Sequence, residues 1–72
     1  MSGLPQLSGS KVARALHKVR FMEISHRGSH LKLRHPDGRT VIVPIHGTLA
    51  RGTLASILRQ AQLDAEAFRE LL

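Results

Sequence analysis

The residues best suited to chemistry lie in one short stretch, Gly28-Ser29-His30 followed by Lys32 and Arg34. Glycine at a turn lets the backbone come close to a phosphate, and a histidine imidazole can gain or lose a proton near neutral pH. The intervals of two between His30, Lys32 and Arg34 place all three side chains on one face of a strand. A proton carrier beside two phosphate-binding cations is the arrangement that cleavage of an RNA backbone needs.

The same residues also have an ordinary structural explanation. A histidine at the start of a strand is commonly an exposed residue without a chemical role, and Lys32 with Arg34 is compatible with a solvated stripe of charge. The tripeptide Gly28-Ser29-His30 is by itself a weak signal. The chemical interpretation therefore depends on the elements that position these residues and on the rest of the chain.

Other kinds of site find little support. The remaining histidines are His17, His26, His35 and His46. They fall on different predicted elements without the spacing of metal ligands, and the chain has no cysteine, so we predict no metal and no other cofactor. Ser29 cannot face its neighbour His30 on a strand, which argues against a Ser-His-Asp hydrolase. His26 and His46 stay open as candidates for a second acid or base.

A first helix is predicted over residues 9–18. Ser8 is suited to the N-cap position, and Leu7 and Val12 are spaced to pack together across the start of the helix. Apolar residues then recur at helical spacing on one side. The opposite flank is basic and carries Lys11, Arg14 and Lys18.

The middle of the chain alternates with a period of two, which predicts strands over residues 20–26, 30–35 and 40–43, the last ending at Pro44. Turn residues separate them at 27–29 and 36–39. A second amphipathic helix begins between Leu49 and Thr53, and Asp64 is suited to cap a last short helix. These elements predict an α+β fold, a two-layer α-β-β-β-α sandwich in which a three-stranded antiparallel sheet has helices on one face and leaves the other open.

The composition points to a polyanionic partner. The chain has eleven Lys and Arg against five Asp and Glu, a net charge of +6, and residues 1–63 contain ten of the bases and two of the acids, a net +8. A surface this basic suits nucleic acid. Phe21 and Phe68 are the only aromatic residues apart from histidine, which argues against domains that stack bases on several exposed aromatics.

Length and residue usage set the remaining expectations. A chain of 72 residues is long enough for one small domain, and we expect residues 1–72 to form one. The absence of cysteine fits a reducing cytoplasm. No apolar run reaches the length of a membrane span, and residues 1–10 lack the features of a signal peptide, so we predict a cytoplasmic protein with no membrane partner.

Several short motifs follow one another across the chain in a characteristic order. They are Leu4-Pro5, Leu7-Ser8-Gly9, Gly28-Ser29-His30, Asp37-Gly38-Arg39, Val43-Pro44-Ile45-His46, Gly52-Thr53-Leu54 and Ile57-Leu58-Arg59-Gln60-Ala61. No single motif is specific, but their order and spacing are. From Leu4 to Leu72 the sequence resembles the HicA family of toxin mRNA interferases, which belong to type II toxin-antitoxin systems.

The resemblance implies a fold like that of the double-stranded-RNA-binding domain and ribosome-independent, metal-independent cleavage of mRNA. It also implies arrest of translation and growth, and neutralisation by a HicB-type protein antitoxin. The family's catalytic histidine falls on His30, and its proline-histidine pair falls near Pro44 and His46. By the same resemblance, Gly28, Ser29, Lys32 and Arg34 become candidate RNA-binding residues.

The chain departs from the family at two positions. Arg20 and Gln62 stand where a glycine usually follows the first and second helices. A non-glycine residue there must either adopt left-handed backbone geometry, at a cost of about 1 kcal/mol, or end the helix differently. Both departures concern helix ends and leave His30 unaffected.

The function we predict is that of a toxin endoribonuclease acting on single-stranded or loosely structured mRNA. The alternative is a non-catalytic RNA-binding module that grips duplex RNA by its shape with the same basic surface. A DNA-binding helix-turn-helix protein fits less well, because the middle third alternates as strands and no recognition helix follows a short turn.

Overall fold

The computed structural model describes residues 6–72, so the Leu4-Pro5 motif lies outside the described residues. In chain order the elements are α1 (Gly9–His17), β1 (Met22–Arg27), β2 (His30–Arg34), β3 (Thr40–Pro44), α2 (Arg51–Ala61) and α3 (Ala65–Arg69). The three strands form one antiparallel sheet in the order β1-β2-β3. The predicted α+β fold with its three-stranded antiparallel sheet is confirmed.

One hydrophobic core joins the helices to one face of the sheet. Alternate residues of β2 and β3 point into it, and both α1 and α2 pack against β3. The largest fully buried side chains are Phe21, Phe68, Leu16, Leu54, Ile57, Val12, Val41 and Val43. Burial of each is worth about 1.5 to 3 kcal/mol, so together they fix the helices on the sheet. No helix within residues 6–72 is long and apolar enough to cross a membrane.

The helix starts follow the sequence closely. The N–H of Lys11 donates to Ser8 Oγ at 3.2 Å, and the N–H of Ala67 donates to Asp64 Oδ1 at 2.7 Å. Each bond satisfies an amide that has no partner inside the first turn of its helix. The predicted N-caps Ser8 and Asp64 are therefore confirmed.

Two helix ends carry the backbone strain that the missing glycines predict. Gln62 caps α2 with φ of 59°, and Arg20 follows α1 with φ of 76°. Both angles lie in the left-handed region, which costs a side-chain-bearing residue about 1 kcal/mol. The reversal at Arg20 turns Phe21 into the core, so β1 begins at Met22 and not at residue 20 as predicted.

The start of α1 lies directly on the end of β3. A Cβ atom added to Gly9 would come within 1.7 Å of the Pro44 carbonyl oxygen, so only glycine fits this contact. The N–H of Leu49 also donates to the Leu7 oxygen at 2.8 Å. These contacts hold the connection that leaves β3, and with it the segment from Pro44 to His46, against the N-terminal end of α1.

Asp37-Gly38-Arg39 has a structural role. Arg39 Nε donates to Asp37 Oδ2 at 2.9 Å, and the guanidinium carbon lies 5.2 Å from the centre of the Phe21 ring. Arg39 also donates to the carbonyl oxygen of Ala61, one of the last carbonyls of α2. The side chain therefore joins the β2–β3 turn to the core and to the end of α2.

Candidate nucleic-acid interface

The face of the sheet turned away from the helices is exposed, and we call it the open face. Residues that pair directly in an antiparallel sheet point to the same face. The buried residues of β2 and β3 are Leu31, Leu33, Val41 and Val43, so the residues that alternate with them in each strand point to the open face. The β1 residues that pair with the open-face residues of β2 lie on the same face. Its members are Met22, Ser25, Arg27, His30, Lys32, Arg34, Thr40, Ile42 and Pro44.

These residues form three rows across the sheet. The first row is Arg27, His30 and Pro44; the second is Ser25, Lys32 and Ile42; the third is Met22, Arg34 and Thr40. Each row therefore contains one cationic or titratable residue of β2 at its centre. The first row is the one next to the β1–β2 turn.

The β1–β2 turn fixes the first row. Its two loop residues are Gly28 and Ser29, and Gly28 adopts φ of 57°, which glycine tolerates without a steric cost. A loop of two residues puts Arg27 and His30 directly opposite each other. The N–H of Ile45 donates to the Ser29 oxygen at 2.6 Å, so the turn is also tied to the chain that leaves β3.

A β-bulge in β1 controls which side chains reach the third row. Pairing passes from Glu23 opposite Leu33 to Ser25 opposite Lys32, so Ile24 is the extra residue. If Ile24 were paired with Leu33 in a regular ladder, Glu23 would lie opposite Arg34 on the open face. Because Ile24 is bulged out of the ladder, Met22 takes that place, and Glu23 points to the opposite side of the sheet.

The open face is cationic as a result. It carries Arg27, Lys32 and Arg34 beside His30, and none of its nine members is acidic. A shallow depression there is lined by Ser25, Arg27, His30, Lys32 and Ile42. The cations around such a depression attract a phosphate electrostatically, and no carboxylate on the open face repels it.

The structure brings some of the predicted site residues together and separates others. His30, Lys32 and Arg34 share the open face, with Gly28 and Ser29 in the turn at its edge. His26 pairs with Leu31, so it lies on the opposite side of the sheet from His30. His46 follows Ile45 in the chain, at the same end of the sheet as the β1–β2 turn.

Arg27 and Ser25 belong to the open face but are absent from the sequence-based set of site residues. The sequence pattern predicts a turn over residues 27–29, which leaves Arg27 outside the strand. The dipeptide Gly28-Ser29 is the local signal for a two-residue loop, and such a loop forces the residues before and after it to pair. Ser25 then follows from alternation two residues earlier in β1.

Metal binding finds no geometric support in the described part of the chain. Among residues 6–72, no three His, Asp or Glu side chains are grouped closely enough to hold a metal ion.

Fold and site together define a small basic α+β protein whose exposed sheet presents a histidine among cationic side chains. The family described as the HicA toxin of bacterial toxin-antitoxin systems matches residues 9–63, which include α1, the whole sheet and α2. The chain therefore belongs to the HicA family and is the toxin component of a toxin-antitoxin system, with an antitoxin as its partner. Among individual curated proteins, none matches the chain.

Proposed function

We propose that this toxin is an endoribonuclease that binds mRNA on the open face and cleaves its backbone with His30. The observation that carries the proposal is the position of His30 on the open face, exposed beside Arg27 in the first row, with Lys32 in the next row and no carboxylate on that face. An imidazole is a common proton carrier in catalysis, and the neighbouring cations would hold the phosphate beside it. We propose that residues 1–72 act as one domain in this role.

The reaction needs one proton removed and one supplied. The ribose 2′-oxygen attacks the adjacent phosphorus as its proton passes to a base, and the bond from phosphorus to the 5′-oxygen breaks as that oxygen receives a proton from an acid. His30 serves one of these steps. The products expected from this route end in a 2′,3′-cyclic phosphate and a 5′-hydroxyl, and the chemistry requires no metal ion.

A second histidine is available for the other step. Both His26 and His46 are candidates by residue type, but the register turns His26 to the opposite side of the sheet. His46 lies at the same end of the sheet as His30, in the chain that contacts the Ser29 carbonyl. We therefore assign the second proton step to His46.

Lys32 and Arg34 bind RNA phosphates along the second and third rows. Lys32 lines the depression, while Arg34 Nε donates to Thr40 Oγ1 at 3.2 Å, which steadies its guanidinium. Gly28 and Ser29 offer the RNA a closely approachable backbone at the turn. Contacts of this kind fix the position of the RNA backbone and carry little sequence information.

The decisive test replaces His30 by alanine. His30→Ala should lower cleavage of a 5′-labelled single-stranded RNA by about a hundredfold or more while leaving RNA affinity near normal, because a proton carrier is lost and the cations remain. His26→Ala is the matched control, since this histidine lies in the same hairpin but on the other face, and it should cleave at the wild-type rate.

The same assay separates the alternatives. A His30→Ala protein that cleaves at the wild-type rate would sink the catalytic assignment, and a wild type that binds RNA without cleaving it would support the non-catalytic RNA-binding module instead. EDTA should leave the wild-type rate unchanged; a strict requirement for added divalent metal contradicts the mechanism. In cells, induction should degrade mRNA and arrest growth, and a HicB-type antitoxin expressed from the adjacent gene should restore growth.

A further inference from the structure

We propose that Arg27 is a catalytic residue, whose guanidinium binds the phosphate being cleaved, while Arg34 holds a phosphate further along the RNA. This inference rests on the proposed function and adds to it a residue and a division of roles among the cations. Its basis is the pairing of β1 with β2.

The register places Arg27 nearer to His30 than any other cation of the open face. The two residues pair directly, and directly opposed side chains in an antiparallel sheet start about 4.5 to 5.5 Å apart at Cβ. Arg34 stands four residues beyond His30 on the same strand, a separation of about 13 Å. A cation that touches the phosphate on which His30 acts must start close to His30, and Arg27 meets that condition while Arg34 does not.

Arg27 is also uncommitted. Arg39 is engaged by Asp37, and Arg34 donates to Thr40, whereas the guanidinium of Arg27 makes no hydrogen bond or ion pair with any of residues 6–72. The side chain is exposed and lines the depression together with His30 and Lys32. An uncommitted guanidinium beside the proton carrier is free to bind a ligand.

Guanidinium chemistry fits the reaction. When the 2′-oxygen attacks phosphorus and the bond to the 5′-oxygen breaks, negative charge grows on the two nonbridging phosphate oxygens. Arginine presents two parallel N–H donors that match a pair of such oxygens, whereas the ammonium of Lys32 is a point charge. Donors aimed at charge that grows in the transition state accelerate the chemical step more than they strengthen binding.

The test compares Arg27→Ala with Arg34→Ala at saturating RNA in single-turnover reactions, with RNA affinity measured separately. Arg27→Ala should lower the saturating cleavage rate about 10²- to 10³-fold and weaken RNA binding by less than about tenfold. Arg34→Ala should weaken RNA binding more than Arg27→Ala does and should lower the saturating rate far less. Arg27→Lys should recover only part of the lost rate, since it restores charge but not the paired donors.

A sulfur substitution reports the contact directly. Replacing one nonbridging oxygen at the cleaved phosphate by sulfur should slow the wild type, and the slowing should be much smaller in Arg27→Ala, where the contact is already missing. Equal thio effects in the two proteins, or a wild-type saturating rate in Arg27→Ala, would overturn the inference alone. A wild type that leaves RNA intact would overturn the proposed function as well, so the two failures are distinguishable.

Discussion

At the scale of single residues, the clearest electrostatic feature lies in the β2–β3 turn and not at His30. The backbone N–H of Arg39 donates to Asp37 Oδ1 at 3.0 Å, and the Arg39 guanidinium donates to both carboxylate oxygens. These bonds favour the ionised form and lower the pKa of Asp37 below its usual value of 3.8. The carboxylate is exposed, so its contribution to stability is modest.

His35 adds a second contact to this turn. Its Nδ1 atom lies 3.1 Å from the backbone nitrogen of Asp37 and 3.0 Å from Asp37 Oδ1. A single nitrogen cannot serve both contacts in one state: without a proton it accepts from the amide, and with one it donates to the carboxylate. The ring also packs edge-on against Phe21 at 5.2 Å, so either contact ties the turn to the core.

Asp37→Asn therefore has a defined dependence on pH. A lowered folded-state pKa means that ionised Asp37 stabilises the fold above the unfolded pKa, and that this stability is lost as pH falls through the lower, folded-state pKa. The variant should have a lower free energy of unfolding than the wild type at pH 7, and this difference should narrow below about pH 4. Urea unfolding between pH 7 and pH 2 measures the difference, with Glu23→Gln as a control. A difference that stays constant down to pH 2 would contradict this account.

At the scale of elements, the bulge in β1 decides the charge of the open face. Ile24 shifts the alternation so that Met22 faces Arg34 while Glu23 points away. Met22→Glu should therefore weaken RNA binding about 1.4- to 5-fold at low salt, since a carboxylate directly opposite a cation is worth about 0.2 to 1 kcal/mol.

The neighbouring position supplies the control for this change. Glu23→Gln alters charge at the next residue of the same strand but on the other side of the sheet, and it should leave RNA affinity unchanged. Fluorescence anisotropy with a labelled single-stranded RNA measures both variants. Equal and opposite effects at positions 22 and 23 would mean that net charge, and not the register set by the bulge, governs binding.

The sequence predicts the elements better than it predicts their faces. Ser8, Asp64 and the alternation of Leu31 and Leu33 are local signals, and the structure agrees with each of them. The left-handed Gln62 also follows from the missing glycine. Local chemistry of this kind is written into a few adjacent residues, and no distant part of the chain needs to be known.

The face on which each β1 side chain lies depends on the pairing register with β2. A period-two pattern in the sequence does not give that register. Helices α1 and α2 pack on β3, so all of β1 is exposed and its burial pattern carries no alternation. Because Ile24 is an extra residue, the β1 residues before it lie on the face opposite to the one that strict alternation predicts. This is why the sequence left His26 open as a partner of His30 and did not find Arg27.

At the scale of the whole molecule, the number of phosphates that the basic surface neutralises sets how strongly salt should affect RNA binding. With Arg27, Lys32 and Arg34 each neutralising one phosphate of a single strand, log affinity should fall with log salt at a slope of about −2, or about −0.7 per contact. Lys32→Ala should flatten the slope by about one contact without changing sequence preference. Titrations from low to physiological salt measure this, and a flat dependence would exclude the open face as the binding surface.

The antitoxin is expected to use the same surface as RNA. The open face combines cations with exposed apolar side chains: Met22 and Ile42 are 51% and 38% exposed. Ile45 at the adjoining sheet edge is partly buried against the core. Complementary charge speeds the association of two proteins, while a tight complex also buries apolar anchors. A HicB-type antitoxin should therefore be acidic where it docks, should cover His30, and should leave the helix layer of the toxin exposed.

Histidine modification tests this arrangement within one complex. His30 lies on the open face, whereas His17 is an exposed residue of α1 in the helix layer, so each imidazole reports on a different side of the molecule. In the toxin-antitoxin complex, a histidine-modifying reagent read out by mass spectrometry should spare His30 at least tenfold relative to the free toxin and should label His17 as before. A surface buried at the centre of an interface excludes the reagent along with water. An inactive complex in which His30 reacts as fast as in the free toxin would therefore show that the antitoxin acts by distorting the sheet or by blocking RNA elsewhere.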